Sequence, residues 1–169
     1  MNASRLKFAV LLALGLAVAA LGAHAEQDQG IQAYVDKDYA AALKIFRPRA
    51  ADGDSTAQFA LGMMYANGEG VAQNFKSAMF WYRLAAKQGH PAAMHDIAVL
   101  YANGQGVPQD YSHAYAWYNL AAANASDETQ RRLDTKHRDD FAALLPPAQL
   151  AAAQELAGRC QSSGFEDCN

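Results

Sequence analysis

The sequence has 169 residues, enough for one domain of ordinary size, and 51% of them are hydrophobic. Its 17 acidic and 14 basic residues give a formal charge of −3. Nucleic acids and anionic lipid surfaces attract clustered Lys and Arg, which a mildly acidic chain does not supply. We therefore do not expect nucleic acid among its partners.

The first 25 residues are predicted to be a secretory signal peptide. Arg5 and Lys7 form a positive start, residues 8–21 are almost entirely apolar, and an A-x-A cleavage signal ends at Ala25. The apolar run is shorter than the roughly 20 residues that a membrane-spanning helix needs. We expect cleavage after Ala25, a periplasmic or secreted product, and no stable membrane insertion afterwards. An uncleaved N-terminal anchor is the alternative.

A 36-residue segment then occurs twice, at residues 53–88 and 89–124. The two copies are identical at 15 of 36 positions, in order and without a gap. A degenerate copy over residues 26–52 precedes them and matches only in its second half, and terminal repeats are usually atypical. The period predicts a repeat architecture in which neighbouring copies share one core.

Each full copy is predicted to be two helices joined by a loop. Ala57, Leu61 and Tyr65 recur at i, i+4 and i+8, the spacing of one helix face. Gly68 stands where a left-handed residue ends a helix. Asn74 and Asp110 are suitable N-caps for the second helices, while Asp54 and Pro91 suit the starts of the first helices.

The repeated residues resemble the Sel1-like repeat family, which is related to tetratricopeptide repeats. The shared structural positions are Tyr65, Gly68, Gly70, Trp81 and Tyr82 in one copy and Tyr101, Gly104, Gly106, Trp117 and Tyr118 in the next. Two departures are mild, since Ile97 and Ala98 replace Leu and Gly. The resemblance implies an all-α solenoid of helix-turn-helix repeats that serves as a scaffold for protein complexes. Four aromatic residues are expected to pack between repeats, namely Trp81, Tyr82, Trp117 and Tyr118.

Residues 125–169 are predicted to form a helical cap and a tail. Asp127 and Glu128 suit the start of a helix reaching about Leu145, with Leu133, Phe141 and Leu144 on its apolar side. Pro146 and Pro147 then break the chain, and a second helix is expected from Ala148 to about Arg159. The charged residues of the first cap helix, including Arg131, Arg132 and Lys136–Asp140, are expected to form a solvated face.

Cys160 and Cys168 are the two cysteines, and both lie in the last ten residues. An even count in an exported chain favours a disulfide that closes a small loop, with two reduced thiols as the alternative.

The partner-binding surface should use residues that differ between the copies on the first helix of each pair. We predict Phe59, Met63, His95, Asp96 and Val99, on the side away from the Ala-Leu-Tyr seam. An extended peptide or a partner helix could occupy such a strip, with ordinary solvent exposure as the alternative.

No catalytic motif stands in the mature chain, and we predict no catalytic residue, cofactor or metal site. The only S-x-x-K sequence, Ser4 to Lys7, lies in the predicted signal peptide. His90 and His95 are five residues apart, which places them off one helix face. The sequence predicts a non-catalytic interaction scaffold in the bacterial envelope. The alternatives are an envelope hydrolase, a protein that binds peptidoglycan or β-lactams, and a membrane-anchored regulatory element.

Intact-mass measurement of the native protein is expected to place its first residue at Glu26 or a near neighbour. Cleavage removes two basic residues and no acidic one, so 12 basic and 17 acidic residues remain and the formal charge becomes −5. A native chain that retains residues 8–21 would instead support the anchored form.

Overall fold

The computed structural model describes residues 29–168, and these form helices and turns without a strand. The helices are α1 (29–35), α2 (Tyr39–Ala51), α3 (Ser55–Asn67), α4 (Phe75–Lys87), α5 (Pro91–Asn103), α6 (Tyr111–Asn124), α7 (Glu128–Leu144) and α8 (Pro147–Ser162). The predicted all-α fold is thereby confirmed, whereas the predicted signal peptide lies outside the described residues. The described residues divide into two compact units, 29–46 and 47–168.

In the described part of the first unit, α1 packs against the middle of α2. A Cβ atom at Gly30 would lie 2.7 Å from Cε1 of Phe46, so glycine permits the close approach of the two helices. The rings of Tyr34 and Tyr39 meet edge to face across the connecting turn, with centroids 5.7 Å apart. This pair corresponds to the degenerate copy of the repeat.

The second unit contains both complete helix pairs, α3–α4 and α5–α6. The side chains of Asp54, Asn74 and Asp110 accept hydrogen bonds from backbone N–H groups in the first turns of α3, α4 and α6, which confirms these predicted caps. Pro91 stands at the start of α5, as predicted. Gly68 and Gly104 end α3 and α5 with left-handed backbone angles, φ 76° and 67°.

The loops inside the two pairs use the same hydrogen bonds at a spacing of 36 residues. Gln73 donates its side-chain amide to the carbonyl of Ala66, at 2.8 Å, and Gln109 does so to Ala102, at 2.7 Å. The backbone N–H of Asn74 likewise reaches the carbonyl of Tyr65, and that of Asp110 reaches Tyr101. These bonds satisfy carbonyls that a helix end leaves free.

Successive helices of the second unit share one apolar core. It includes small residues that are fully buried, among them Ala78, Ala93 and Ala114, and larger residues such as Ile97 and Leu120. Three of the four predicted aromatic residues, Tyr82, Trp117 and Tyr118, are buried with them. Trp81 differs because it is only half-buried and meets the exposed ring of Phe80 edge to face.

Trp117 is buried more deeply than Trp81, and α6, on which it lies, also packs against α8. Ala116 stands where the preceding repeat has Phe80, and it is buried against Leu156 and Ala157 of α8. The small side chain at position 116 therefore admits the cap helix, whereas its aromatic counterpart Phe80 is 56% exposed.

The prediction of which side of α7 is buried is wrong. Leu133 is 42% exposed and Leu144 is 62% exposed, while Asp134 is fully buried. Of the three residues predicted for that side, Phe141 is partly buried against the core and contacts Tyr118 and Tyr111. The buried face of α7 is thus partly polar, which a count of apolar residues does not reveal.

Replacing Gly62 by alanine is expected to destabilise the protein. The added Cβ would lie well inside van der Waals contact with Cδ1 and Cε1 of Tyr82, close to the base of that side chain. Overpacking of this kind costs about 1–3 kcal/mol, which outweighs the gain of up to about 1 kcal/mol in helix propensity. Urea unfolding of the two proteins measures the difference.

Ala98 supplies the matched control, because it holds the equivalent position in the next repeat. Ala98→Gly is expected to lose about 1 kcal/mol of helix propensity and about 0.8 kcal/mol more with its methyl group, because Ala98 has no exposed surface. Greater stability of Gly62→Ala than of the unaltered protein would show that Tyr82 moves aside freely.

The capping carboxylate of Asp54 should make stability depend on pH. Burial alone would raise its pKa, but hydrogen bonds from the Ala57 N–H and from Arg49 outweigh burial and lower the pKa. Its contribution is therefore present above the unfolded-state pKa, about 3.9, and is lost as the pH falls through the folded-state pKa.

We expect Asp54→Ala to lose about 1 kcal/mol at pH 7, the usual cost of removing a cap. The difference from the unaltered protein should shrink below about pH 4 in chemical unfolding curves. A difference that stays constant down to pH 2 would contradict the role of the charge.

Candidate functional site

A groove opens between α3 and α5, with the N-terminal half of α4 beside it. It encloses a cavity of about 450 Å³. The lining residues of this α3–α5 groove are Met63, Ala66, Asn67, Gln73, Phe75, Tyr82, Asp96, Val99, Leu100 and Gln105. The groove therefore combines apolar side chains with three amides and one carboxylate.

The repeat positions the groove. A Cβ atom at Gly106 would lie 2.8 Å from the carbonyl carbon of Phe75, so the loop after α5 lies directly on the start of α4. Gly106 has φ 76°, a left-handed conformation that glycine adopts without strain. Phe75 and Gln105, the neighbour of Gly106, consequently meet at one edge of the groove.

The structure brings together three of the five residues predicted for partner binding. Met63, Asp96 and Val99 line the α3–α5 groove. Phe59 does not line it, because its ring stacks on His90 with centroids 4.7 Å apart and also contacts Tyr82. His95 instead contacts α7.

Asp96 is the carboxylate of the groove, and it is half-buried. Burial raises its pKa, as does the nearby Asp134, while His95 and a hydrogen bond from the hydroxyl of Tyr82 act in the opposite direction. A carboxylate in such surroundings pairs favourably with a donor or a cation that a ligand brings into the groove.

A second group of polar side chains lies where α5 meets α7. We call His95, Gln130, Asp134 and His137 the α5–α7 polar cluster. Nδ1 of His95 donates to Oδ1 of Asp134 at 2.5 Å, and the amide of Gln130 donates to both oxygens of that carboxylate at 3.2 Å. These bonds satisfy a carboxylate with no exposed surface.

His95, Asp134 and His137 could together hold a metal ion. One donor atom of each lies within 4.8 Å of the donor atoms of the other two. Burial and the neighbouring His95 lower the pKa of His137, partly offset by Asp134. Nδ1 of His137 is buried without a hydrogen-bond partner among residues 29–168.

Tyr118 separates this cluster from the apolar core. Its ring lies 5.2 Å from that of His95 and 5.0 Å from that of His137, measured between centroids. Burial raises its pKa to about 12, and the carboxylates of Asp134 and Asp96 contribute to the increase. The phenol is therefore neutral at physiological pH.

Sequence reasoning missed the α5–α7 polar cluster. It sought two metal ligands on one helix, whereas the structure combines His95 of α5 with two residues of α7. One signal was present, because Gln130, Asp134, His137 and Phe141 are separated by four, three and four residues and so share a helix face. The mixed charge of Arg131, Arg132 and Lys136–Asp140 on the same helix led instead to the interpretation of a solvated face.

The C-terminal tail packs on the repeats. Cys160 and Cys168 form a disulfide, and both residues are almost completely buried in the core of the second unit. Phe165 packs against the same core, and Lys87 at the end of α4 pairs with Glu166 at 2.5 Å. The tail therefore belongs to the folded unit.

The paired helices, with loops repeated after 36 residues, define an α-helical repeat protein. The chain belongs to the Sel1 repeat family, since that family's model matches residues 16–54, 55–90 and 91–126. The match to residues 16–54 begins inside the predicted signal peptide. Proteins of this family are generally protein-interaction scaffolds, and no catalytic function is indicated by the matches.

Solved structures of other repeat proteins resemble this one, among them the following two. A protective antigen of uropathogenic Escherichia coli strains with an SLR fold has a TM-score of 0.75 and 29% identity, covering 85% of this chain and 31% of its own. A Sel1 repeat protein from Oxalobacter formigenes has a TM-score of 0.56 and 23% identity, covering 69% and 54%. The chain thus spans about a third of the length of the first protein and about half of the length of the second.

Curated proteins give no significant sequence match. Within residues 29–168, the helices are all too short or too polar to cross a bilayer.

Proposed function

We propose that the protein is a non-catalytic scaffold of the bacterial envelope that binds a protein or peptide partner in the α3–α5 groove. The observation that carries the proposal is the convergence of Met63, Asp96 and Val99 on one cavity of about 450 Å³. These residues differ from their counterparts in the neighbouring repeat, whereas the residues that hold the fold recur. A family whose members generally bind proteins supports the same function.

The groove suits a segment that presents both an apolar side chain and a hydrogen-bond donor. Met63, Phe75, Val99 and Leu100 offer apolar surface, and Met adapts readily to differently shaped partners. The carboxylate of Asp96 offers a charged acceptor beside them. An extended peptide or a helix that carries Lys or Arg next to an aliphatic residue would satisfy both.

Two features support the envelope as the compartment. The sequence begins with the predicted signal peptide, and the disulfide of Cys160 and Cys168 is typical of proteins that fold under oxidising conditions.

Site-specific photo-crosslinking in living cells tests the binding surface. A photoreactive residue in place of Met63 or Gln105 should give a discrete adduct with one protein, because both positions line the groove. The same residue in place of Glu155, whose side chain is 78% exposed on α8, is the matched control and should give none. Equal adducts from all three positions would reject the groove.

The partner identified in this way is then titrated with purified variants. Val99→Asp places a charge among the apolar side chains and should weaken binding by about 10-fold or more, the effect of losing about 1.4 kcal/mol. Leu144→Asp makes the same kind of change at an exposed site on α7 and should leave the affinity unaltered. Circular dichroism verifies the helical content, and turnover of β-lactam or peptidoglycan by the purified protein would contradict a non-catalytic role.

A further inference from the structure

We propose that His95, Asp134 and His137 bind a zinc ion that fastens the cap helix α7 to repeat helix α5. The proposal concerns the α5–α7 polar cluster and is independent of the α3–α5 groove. It rests on the placement of three donor atoms within 4.8 Å of one another, on the complete burial of one donor residue and on an unpaired imidazole nitrogen.

The donor set matches zinc. Two imidazoles and one carboxylate are typical zinc ligands, bound at about 2.0–2.2 Å, and a fourth tetrahedral position can take water. Calcium and magnesium prefer sites made of oxygen atoms. Donors at these bond lengths stand about 3.4 Å apart in a tetrahedron. The three donor atoms now lie within 4.8 Å of one another, so shifts of about 1–1.5 Å bring them to that distance.

His137 provides an observation that the hydrogen bonds of the fold do not explain. Its Nδ1 atom is buried and has no hydrogen-bond partner among the described residues. A buried polar atom without a partner costs about 1–3 kcal/mol. Coordination of a cation through Nδ1 would satisfy this nitrogen without a new protein donor.

Asp134 provides the charge argument. The carboxylate is fully buried, and its hydrogen bonds come from His95 and Gln130. A buried carboxylate needs a counter-charge, and a dication supplies one more completely than an imidazole does. In the metal-bound form, the zinc ion takes the place of the proton that His95 now directs at Asp134.

The surroundings resemble the outer shell of a metal site. The amide of Gln130 fixes the carboxylate of Asp134, and a hydrogen-bonded ligand keeps its orientation better. The ring of Tyr118 lies within about 5 Å of both imidazole rings, between centroids, and shields one side of the cluster. Such support usually changes metal affinity by about 10- to 100-fold.

Isothermal titration calorimetry of the untagged, chelator-treated protein with ZnCl₂ tests the site. We expect one zinc ion per chain, and at 100-fold excess over Kd a rise in Tm of about 5–10 °C. Titrations with MgCl₂ and CaCl₂ should show no binding. Absence of stoichiometric zinc binding at about 100 µM metal would overturn the proposal and leave His95 and Asp134 as an ordinary buried hydrogen-bonded pair.

His137→Gln is the decisive variant, because it removes one ligand while the hydrogen bond between His95 and Asp134 remains. Zinc affinity should fall by more than about 100-fold, since even outer-shell losses cost 10- to 100-fold. His113→Gln is the matched control, because His113 also pairs with a carboxylate, Asp110 at 2.9 Å, but belongs to no three-donor group among the described residues. Equal zinc affinity in the two variants would overturn the assignment.

A measurement on the unaltered protein covers the case in which His137→Gln fails to fold. Cobalt(II) replaces zinc in four-coordinate sites and shows strong visible absorption there. We expect these bands to saturate at one cobalt per chain and to disappear when zinc is added. A spectrum of hexahydrated cobalt throughout the titration would exclude the site.

Discussion

The fold of the second unit depends on close contact between consecutive helices, because a single helix pair cannot bury its own apolar surface. Small residues make the contact possible, and Ala78, Ala93 and Ala114 are completely buried where helices meet. The closest approach is at Gly62, where even a methyl group would collide with Tyr82. The recurring residues therefore define spacing between helices, which leaves the variable positions available for recognition.

An array of repeats also has to end, and its last helix would otherwise expose an apolar face. Here α7 and α8 both pack on α6, but they do so with different chemistry. The contact of α8 is apolar and small, through Ala116, Leu156 and Ala157. α7 contacts α6 through Phe141 and Tyr118, and it contacts α5 through the buried carboxylate of Asp134, so its attachment depends on the pairing of a charge as well as on burial.

Features encoded within one helix or one loop could be predicted from the sequence. The caps at Asp54, Asn74 and Asp110 and the helix ends at Gly68 and Gly104 follow from local rules, and the 36-residue period identified the repeat. The cap interface could not be predicted in this way. Its partners, His95 and Asp134, are 39 residues apart, and neither side chain has a counterpart at the equivalent position of another repeat. Leu133 and Leu144 then misled the assignment of faces on α7.

Asp96 and its neighbour His95 show how one turn of a repeat helix can contribute to two surfaces. Successive residues on a helix point about 100° apart, so Asp96 reaches the α3–α5 groove while His95 reaches α7. The two sites are also coupled through charge, because Asp134 of the α5–α7 polar cluster contributes to the raised pKa of Asp96. Neutralising Asp134 would favour the ionised form of Asp96, and a cation bound by the cluster would do the same. The charge state of the proposed binding groove is therefore linked to the chemistry that holds the cap.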